Sequence, residues 1–390
     1  AYDPLSRLTD IHIDLRTPSS WLILWPDQSK VISYLVVPIL SPEYPFEEFS
    51  IGSINVQVRM SFSGSIESRS YASLLNQTTD GIRLSSAVET MRSESDYLIV
   101  TNPQMIGYFD YGSGLADQLL DRLGELSIAK GGMLGYLEGA RTMHEIEETI
   151  ETWGQEMQGS EGTPAGYIQD GYLLLVGETN IIPAGAIRFS DHWWWDDLTV
   201  GLTDAFYADT LSNLIDPELM VGRIVGNGLA DLLIPIETIL NMEKGTPGYG
   251  YDGTDALLLE GFPRTRNNDA TESDFASVTA IIEDKFTIKS IPFVTISTPD
   301  YLTRDAAITD FLNYFPGRDI LHLAGHGSSS SLDDLWTGDL SGLRNAFAGT
   351  NPFVFGVSCL TGKYTESVSL AERFIQAGAA AYFGSTEVSY

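Results

Sequence analysis

The sequence has 390 residues, of which 43% are hydrophobic, so it is long enough for two or three domains with sizeable cores. Its formal net charge of −31 comes from acidic residues spread along the chain, and such a surface repels both nucleic-acid phosphate and anionic membranes. No apolar run reaches the length of about 18 residues that crosses a bilayer. We therefore predict neither nucleic-acid binding nor membrane insertion.

Residues 1–92 contain short segments rich in β-branched and aromatic residues. Pro, Ser, Asp and Gly separate these segments, and no convincing helical pattern lies between them. The pattern predicts a smaller, mainly antiparallel β domain, which would serve as an accessory domain or a pro-domain. The segments are residues 11–15, 21–25, 31–37 and 54–60.

From Tyr97 onward, strand patterns alternate with helix patterns. This alternation is typical of an α/β fold with a mostly parallel sheet and helices on both faces, here over residues 93–390. The series of strands and helices could form two related subdomains, about 93–245 and 246–390. The predicted strands are residues 97–101, 133–137, 172–177, 256–260, 291–296, 319–327, 351–359 and 379–384, and the predicted helices are residues 115–124, 142–153, 230–242, 272–286, 305–314 and 367–377.

Two of the predicted strands end at residues that can do chemistry together. One ends in His326 and Gly327, and another ends in Cys359, the single cysteine of the chain. Because ligands bind at the carboxyl ends of strands in a parallel sheet, we expect His326 and Cys359 to lie side by side there. An imidazolium would stabilise the thiolate nucleophile, and the backbone N–H groups of Gly327 and Cys359 could stabilise an oxyanion. The alternative is an ordinary hydrogen-bonded histidine and a core thiol.

The motifs do not support other catalytic or cofactor classes. His322 and His326 are four residues apart, but they lie on a predicted strand and lack the glutamate of a zinc-binding His-Glu-x-x-His helix. Residues 356–360 lack the second glycine of a serine-hydrolase elbow. No glycine-rich phosphate loop follows a predicted strand, so no nucleotide cofactor is implied. We expect that no cofactor is required.

The order of these motifs resembles that of the gingipain family of cysteine peptidases. The resemblance implies a caspase-like catalytic domain in which His326 is the base or proton donor and Cys359 is the nucleophile. It also implies that Asp204 approaches the pocket for the residue before the scissile bond and selects Arg or Lys there; the alternative for Asp204 is a cap or a turn. The resemblance covers about residue 97 to the C-terminus and is carried by residues 97–103, 174–183, 203–209, 221–224, 326–328 and 369–386.

The chain departs from the gingipain pattern where that family places an acidic residue that orients the histidine. Asn180 and Ile181 occupy the nearest positions, so Glu178 is the candidate third catalytic residue, and a backbone carbonyl is the alternative. Trp336 follows His326 closely enough to form a wall of the substrate pocket. Family habit also suggests structural calcium in acidic loops such as residues 191–197, whose spacing fits no EF-hand, and no metal ligands are assigned.

Together these features predict a secreted or cell-surface cysteine endopeptidase that cleaves proteins or peptides through an acyl-enzyme at Cys359. Residues 1–92 would make it a zymogen, and Arg92, at the predicted domain junction, is a candidate site of self-cleavage. The alternative is a catalytically inactive caspase-like scaffold whose β domain serves adhesion or assembly. The missing acidic residue and the three tryptophans of residues 193–195 motivate that alternative.

Overall fold

The structure is a computed structural model. Several predicted features lie outside the residues that it describes: the segment 21–25, Arg92, the acidic loop 191–197 and the tryptophans within that loop. The described residues are 11–14, 35–40, 57–62, 65–70, 95–137, 139, 141–156, 171–189, 199–209, 217–261, 270–297, 301, 303–333, 335–343, 347, 350–364 and 368–386.

The chain forms two compact units, each assembled from several segments. The first unit contains Ala1–Tyr108, Ala116–Leu175 and Ala205–Gly222. The second unit contains Phe109–Leu115, Val176–Asp204 and Arg223–Tyr390. The domain boundaries inferred from the sequence, at residue 92 and near residue 245, stay predictions.

Strands and helices alternate along the described chain. The strands are β1 (Ile11–Asp14), β2 (Leu35–Leu40), β3 (Gln57–Phe62), β4 (Ser65–Ser70), β5 (Tyr97–Thr101), β6 (Met133–Tyr136), β7 (Gly171–Val176), β8 (Gly185–Phe189), β9 (Thr199–Thr203), β10 (Leu219–Ile224), β11 (Ala256–Glu260), β12 (Phe293–Ser297), β13 (Ile320–Ala324), β14 (Gly327–Ser328), β15 (Ser331–Leu332), β16 (Leu335–Trp336), β17 (Phe353–Val357) and β18 (Ala381–Gly384). The helices are α1 (Pro103–Phe109), α2 (Leu115–Ala129), α3 (Met143–Glu156), α4 (Ala205–Ala208), α5 (Leu229–Glu243), α6 (Ala270–Lys289), α7 (Arg304–Tyr314) and α8 (Leu370–Gln376).

A six-stranded sheet has the order β1-β2-β6-β5-β7-β10. The pairs β2–β6, β5–β6 and β5–β7 are parallel. Three consecutive residues of β5, Leu98, Ile99 and Val100, are completely buried, so both faces of this strand are covered. Burial on both faces explains why β5 is a continuous apolar run rather than an alternating pattern.

Antiparallel pairing occurs between short strands. β1 pairs with β2, and β3 pairs with β4, both in the antiparallel sense, which supports the predicted antiparallel N-terminal domain in part. However, β2 also pairs with β6 in the parallel sense, with Ile39 opposite Leu134. The first two strands therefore extend the parallel sheet. A separate antiparallel pair, β8 with β9, occurs within residues 185–203.

A five-stranded sheet in the second unit has the order β12-β11-β13-β17-β18, and all its neighbouring pairs are parallel. Parallel neighbours need crossover connections, and helices α6, α7 and α8 lie between successive strands of this sheet in the sequence. The core beside the sheet is built from completely or almost completely buried side chains such as Leu257, Phe311, Leu323 and Phe374. The predicted α/β fold with mostly parallel sheets is confirmed.

Two helices begin with capping boxes, in which a Ser or Thr exchanges hydrogen bonds with the Glu three residues later. At α3, the backbone N–H of Thr142 donates to the Glu145 carboxylate (2.7 Å), and the N–H of Glu145 donates to the Thr142 hydroxyl (3.4 Å). Ser369 and Glu372 form the same pair of bonds at α8. No helix among the described residues is both long and apolar enough to cross a bilayer.

Candidate active site

His326 and Cys359 follow two neighbouring strands of the five-stranded sheet. β13 and β17 are parallel, and their register places Ala324, the last residue of β13, opposite Val357, the last residue of β17. His326 and Cys359 each lie two residues beyond these partners. Because neighbouring strands are about 4.8 Å apart, the histidine and cysteine segments emerge side by side. The structure thus brings the two segments together at one end of the sheet, as the sequence predicts.

The two segments are in direct contact through glycine. The N–H of Gly325 donates to the carbonyl of Val357 (3.3 Å). A Cβ added at Gly327 would lie 2.1 Å from Oγ of Ser358 and 2.3 Å from the carbonyl oxygen of Cys359. Real Cβ atoms essentially never approach other atoms so closely, so only glycine allows this backbone approach.

Replacing Gly327 with alanine is therefore expected to push the histidine and cysteine segments apart. We expect the free energy of unfolding to fall by about 1–3 kcal/mol, the usual cost of overpacking a tight contact. Urea unfolding followed by circular dichroism measures the change. Gly338→Ala is the matched control, because a Cβ there meets nothing within 4 Å. Equal stability of the two alanine variants would contradict the contact.

Both reactive side chains are partly accessible. His326 and Cys359 are each half-buried. The imidazole of His326 lies edge-on to the ring of Phe275 on α6, with 5.1 Å between the ring centroids and 87° between the ring planes. This aromatic contact limits the orientations that the imidazole can adopt. The site therefore combines an accessible thiol with a histidine whose ring packs against a neighbour.

A small three-stranded antiparallel sheet, β14-β15-β16, follows His326 directly. Trp336 lies on its last strand, opposite Ser331, and 49% of its surface is exposed. The backbone N–H of Trp336 donates to the Asp339 carboxylate (2.8 Å), which fixes the main chain at the indole. An indole so exposed, on a sheet that begins at Gly327, is available for contact with a ligand. The role of Trp336 as a pocket wall stays a prediction.

Glu178, the candidate third catalytic residue, belongs to a carboxyl pair. Its side chain is hydrogen-bonded to that of Glu372 and accepts the backbone N–H of Gly226. Burial, together with the charge and hydrogen bond of Glu372, raises the pKa of Glu178 from 4.5 to about 7. The catalytic role of Glu178 stays a prediction.

Glu372 is the partner that sequence reasoning missed as part of a site. It is 1% exposed, and it accepts the N–H of Ser369 (2.6 Å) and the side-chain amide of Asn227 (2.6 Å). Burial raises its pKa, and the hydrogen bonds from Ser369 oppose that rise. Because the carboxylate of Glu372 accepts hydrogen bonds from Ser369 and Asn227, we assign the proton of the hydrogen bond between the two carboxyl groups to Glu178. The spacing of Ser369 and Glu372 indicates a helix cap, but it does not indicate that Glu372 also contacts the carboxyl group of Glu178.

The carboxyl pair makes stability depend on pH. Because the pKa of Glu178 is higher in the folded than in the unfolded chain, the folded state binds the proton more tightly, and the free energy of unfolding falls as pH rises from about 4.5 to about 7. Glu178→Gln keeps a donor toward Glu372 without a charge. We expect it to raise the free energy of unfolding at pH 8 by about 1 kcal/mol, a value reduced because Glu178 is partly solvated. At pH 4.5 the variant and the wild type should be equally stable.

Thermal unfolding of both proteins across pH 4.5 to 8.5 checks this expectation. A variant that is less stable than the wild type at pH 8 contradicts the shared proton. A difference in stability that does not change with pH contradicts it as well.

Asp204, the predicted selector of basic substrates, is bound to Arg223 of β10. Nε of Arg223 lies 2.9 Å from one carboxylate oxygen of Asp204, and a terminal nitrogen lies 2.7 Å from the other. The other terminal nitrogen donates to the carbonyls of Gly177 and Ile182, both at 2.8 Å. The Arg223 side chain is 4% exposed and that of Asp204 is 14% exposed. The carboxylate of Asp204 is thus already paired with a positive charge inside the protein.

The described residues contain no group of three or more His, Cys, Asp or Glu side chains that could hold a metal ion. The acidic loop proposed for calcium, residues 191–197, lies outside those residues, so calcium binding stays a prediction.

Comparisons with known proteins give the family and the fold. A search of curated proteins finds no match. Among solved structures, the Arg-specific cysteine proteinase gingipain R shares 20% identity over 76% of this chain and 64% of its own, with a TM-score of 0.52. A structure described only as a protease shares 19% identity over 76% of this chain and 60% of its own, with a TM-score of 0.51. The complex of the pro- and mature domains of Porphyromonas gingivalis RgpB shares 20% identity over 75% of this chain and 64% of its own, with a TM-score of 0.50.

These structures support the fold, and the chain spans 64% or less of the length of each of them. The family is given by a sequence match, since the model of peptidase family C25 covers residues 137–390, which is more than half of the chain. That range contains β13, β17 and both strand-end residues, His326 and Cys359. The chain belongs to peptidase family C25, the gingipain family of cysteine peptidases.

Proposed function

We propose that this cysteine peptidase is an endopeptidase that acts through a Cys359–His326 dyad and an acyl-enzyme. The observation that carries the proposal is the direct contact between the two segments, where Gly327 lies against Ser358 and Cys359. Family membership supports the reaction class, and the parallel pairing of β13 with β17 supports the pairing of His326 with Cys359, because the two residues follow neighbouring strands.

In the proposed reaction, the Cys359 thiolate attacks the scissile carbonyl carbon and His326 holds the proton that the thiol has lost. The N–H groups of Gly327 and Cys359 stabilise the oxyanion of the tetrahedral intermediate. His326 then protonates the leaving amine as the C–N bond breaks, which leaves an acyl group on Cys359. A water molecule, deprotonated by His326, hydrolyses this thioester and releases the second product.

We also propose that the enzyme prefers Arg or Lys immediately before the scissile bond. This preference rests on the resemblance that places Asp204 at the substrate pocket. Both oxygens of Asp204 already accept hydrogen bonds from Arg223, so a basic substrate must share this carboxylate or displace Arg223. Specificity therefore has to be measured against neutral and acidic residues as well.

A panel of fluorogenic peptides that differ only in the residue before the scissile bond tests this proposal. We expect kcat/KM to be at least about 10²-fold higher for Arg or Lys than for Leu or Glu, the effect of a charge-assisted pair in a pocket. Equal rates for all four residues would reject the basic preference and leave the peptidase itself intact. If the protein cleaves none of these peptides and no member of a mixed peptide library, the proposed endopeptidase activity is rejected.

The proposal also covers where the enzyme acts and how it is activated. We place the enzyme outside the cell or on its surface, and the net charge of −31 suits a well-solvated protein in such a setting. One of the similar structures is a complex of pro- and mature domains, which supports a zymogen, and we propose residues 1–92 as the segment that is removed. N-terminal sequencing of the active form tests self-cleavage after Arg92. An active form in which the bond between residues 92 and 93 is intact would contradict it.

An inactive scaffold is the less favoured function. Both residues of the dyad are present, and their segments are in contact at the ends of neighbouring strands. Protein or peptide substrates are therefore the partners that this proposal requires.

A further inference from the structure

The loop that carries His326 is closed by Asp333. The backbone N–H of His326 donates to Oδ2 of Asp333 (3.1 Å), and the N–H of Asp333 donates to the carbonyl of His326 (2.5 Å). The strands β14 and β15 pair with Gly327 opposite Leu332. His326 and Asp333 are therefore the next pair of the same antiparallel ladder, immediately before β14 and immediately after β15.

The Asp333 side chain replaces a backbone acceptor in this pair. In a regular antiparallel ladder, the two residues of a hydrogen-bonded pair exchange two backbone bonds. Here the bond from the His326 N–H goes to the carboxylate instead. Asp333 has a φ of 46°, in the left-handed region that residues with a side chain seldom adopt. Such a conformation persists only where the surrounding contacts impose it.

The carboxylate also occupies the space beside the preceding glycine. A Cβ added at Gly325 would lie 2.2 Å from Oδ2 of Asp333. Thus the residue before His326 touches Asp333, and the residue after it, Gly327, touches Ser358 and Cys359. The main chain at His326 is held by the carboxylate and by the cysteine segment at the same time.

We propose that Asp333 is a positioning residue, whose carboxylate accepts the backbone N–H of His326 and so fixes the imidazole relative to the Cys359 thiol. This proposal rests on the proposed function. Acidic residues commonly orient a catalytic histidine through its ring, whereas Asp333 acts through the main chain. Hydrogen bonds to a carboxylate are stronger than those to a neutral acceptor, which suits a residue that must hold a loop. A displacement of about 1 Å at a reacting group can cost about 10²-fold in rate.

Two substitutions separate the hydrogen bond from the backbone conformation. Asp333→Asn keeps an acceptor oxygen and tolerates the left-handed region, whereas Asp333→Gly keeps that conformation and removes the acceptor. In the full chain, we expect Asp333→Gly to lower kcat by about 10²-fold with little change in KM, and Asp333→Asn to stay within about 5-fold of the wild type. Far-UV circular dichroism checks that both variants fold. If Asp333→Asn is as impaired as Asp333→Gly, the acceptor role is overturned.

A second readout does not depend on peptide cleavage. Cys359 is the only cysteine of the chain, so its alkylation by iodoacetamide can be followed against pH without background. We expect the alkylation rates of Asp333→Asn to match those of the wild type, and those of Asp333→Gly to be about 10-fold lower near neutral pH, because a displaced histidine activates the thiol less. A purely structural role would leave the alkylation rates of the folded variant unchanged.

The two proposals fail in different ways. If the wild type cleaves peptides, and Asp333→Gly has the same kcat and the same alkylation rates, the positioning role is overturned and the proposed function stands. If the wild type cleaves no peptide while Asp333→Gly still lowers the alkylation rate, the proposed function fails and the positioning role is supported.

Discussion

Replacing Cys359 with alanine is expected to lower kcat/KM for any cleaved peptide by at least about 10⁴-fold, because it removes the single thiol of the chain, which we propose forms the acyl-enzyme. In the proposed reaction the thiolate is the attacking group, and the hydrogen-bond donors that remain in the variant can only polarise the carbonyl for attack by water. Cys359→Ser is the matched control for shape, since it keeps a small polar group in the same place. We expect the Cys359→Ser variant to be almost inactive as well, because a hydroxyl has a far higher pKa than a thiol.

Initial rates with a fluorogenic peptide, on proteins with equal thermal stability, check this expectation. Retention of more than about 1% of wild-type activity by Cys359→Ala would contradict the assignment of the nucleophile. Loss of activity together with loss of folding would be uninformative about chemistry, so circular dichroism accompanies each assay. Cys359 is half-buried, and both replacements are small, so we expect both variants to fold.

The second large effect is expected at Arg223. Replacing it with methionine keeps most of the side-chain volume, but it leaves the carboxylate of Asp204 without its ion-pair partner. The carbonyls of Gly177 and Ile182 lose their donor in the same step. We expect the free energy of unfolding to fall by about 3–5 kcal/mol, the usual cost of leaving one charge of a buried pair alone.

Urea unfolding measures this effect, and two further variants make it specific. The double variant Arg223→Met with Asp204→Asn should recover part of the loss, because the unpaired charge is gone while the two carbonyls still lack a donor. Arg122→Met is the matched control. It breaks a pair with Glu125 in which Arg122 is 33% exposed, and should cost less than about 1 kcal/mol. Equal losses at Arg122 and Arg223 would contradict the buried pair.

The sequence predicts the five-stranded sheet well because its strands are apolar runs and its helices have regular spacing. β13 and β17 are the clearest case, since His326 and Cys359 each follow the end of one of these strands by two residues. Their adjacency follows from general rules for parallel sheets, and the structure agrees with it. At the N-terminus, alternating patterns predict antiparallel strands, but no local pattern indicates that β2 pairs with β6 in the parallel sense.

The contacts of the other candidate site residues come from long-range pairings, which cannot be predicted from a single sequence. Asp204 stands out as an acidic residue, but its pairing with Arg223 depends on how β10 packs. Glu178 and Glu372 are far apart in the chain, and only folding joins their carboxyl groups. Asp333 is closer to His326 in the chain, yet its proposed positioning role depends on a left-handed backbone conformation that the sequence does not indicate.

We propose that His326 and Cys359 act as one catalytic dyad, and covalent labelling of the thiol provides the decisive test. Chloromethyl ketones of arginine, lysine and leucine peptides are incubated with the wild type and with His326→Asn, and intact mass and peptide mapping give the stoichiometry and the site. We predict one adduct per wild-type chain, on Cys359, formed at least about 10²-fold more slowly in His326→Asn. No labelling of the folded wild type by any of the three reagents, or equal labelling rates in the two proteins, would contradict the dyad.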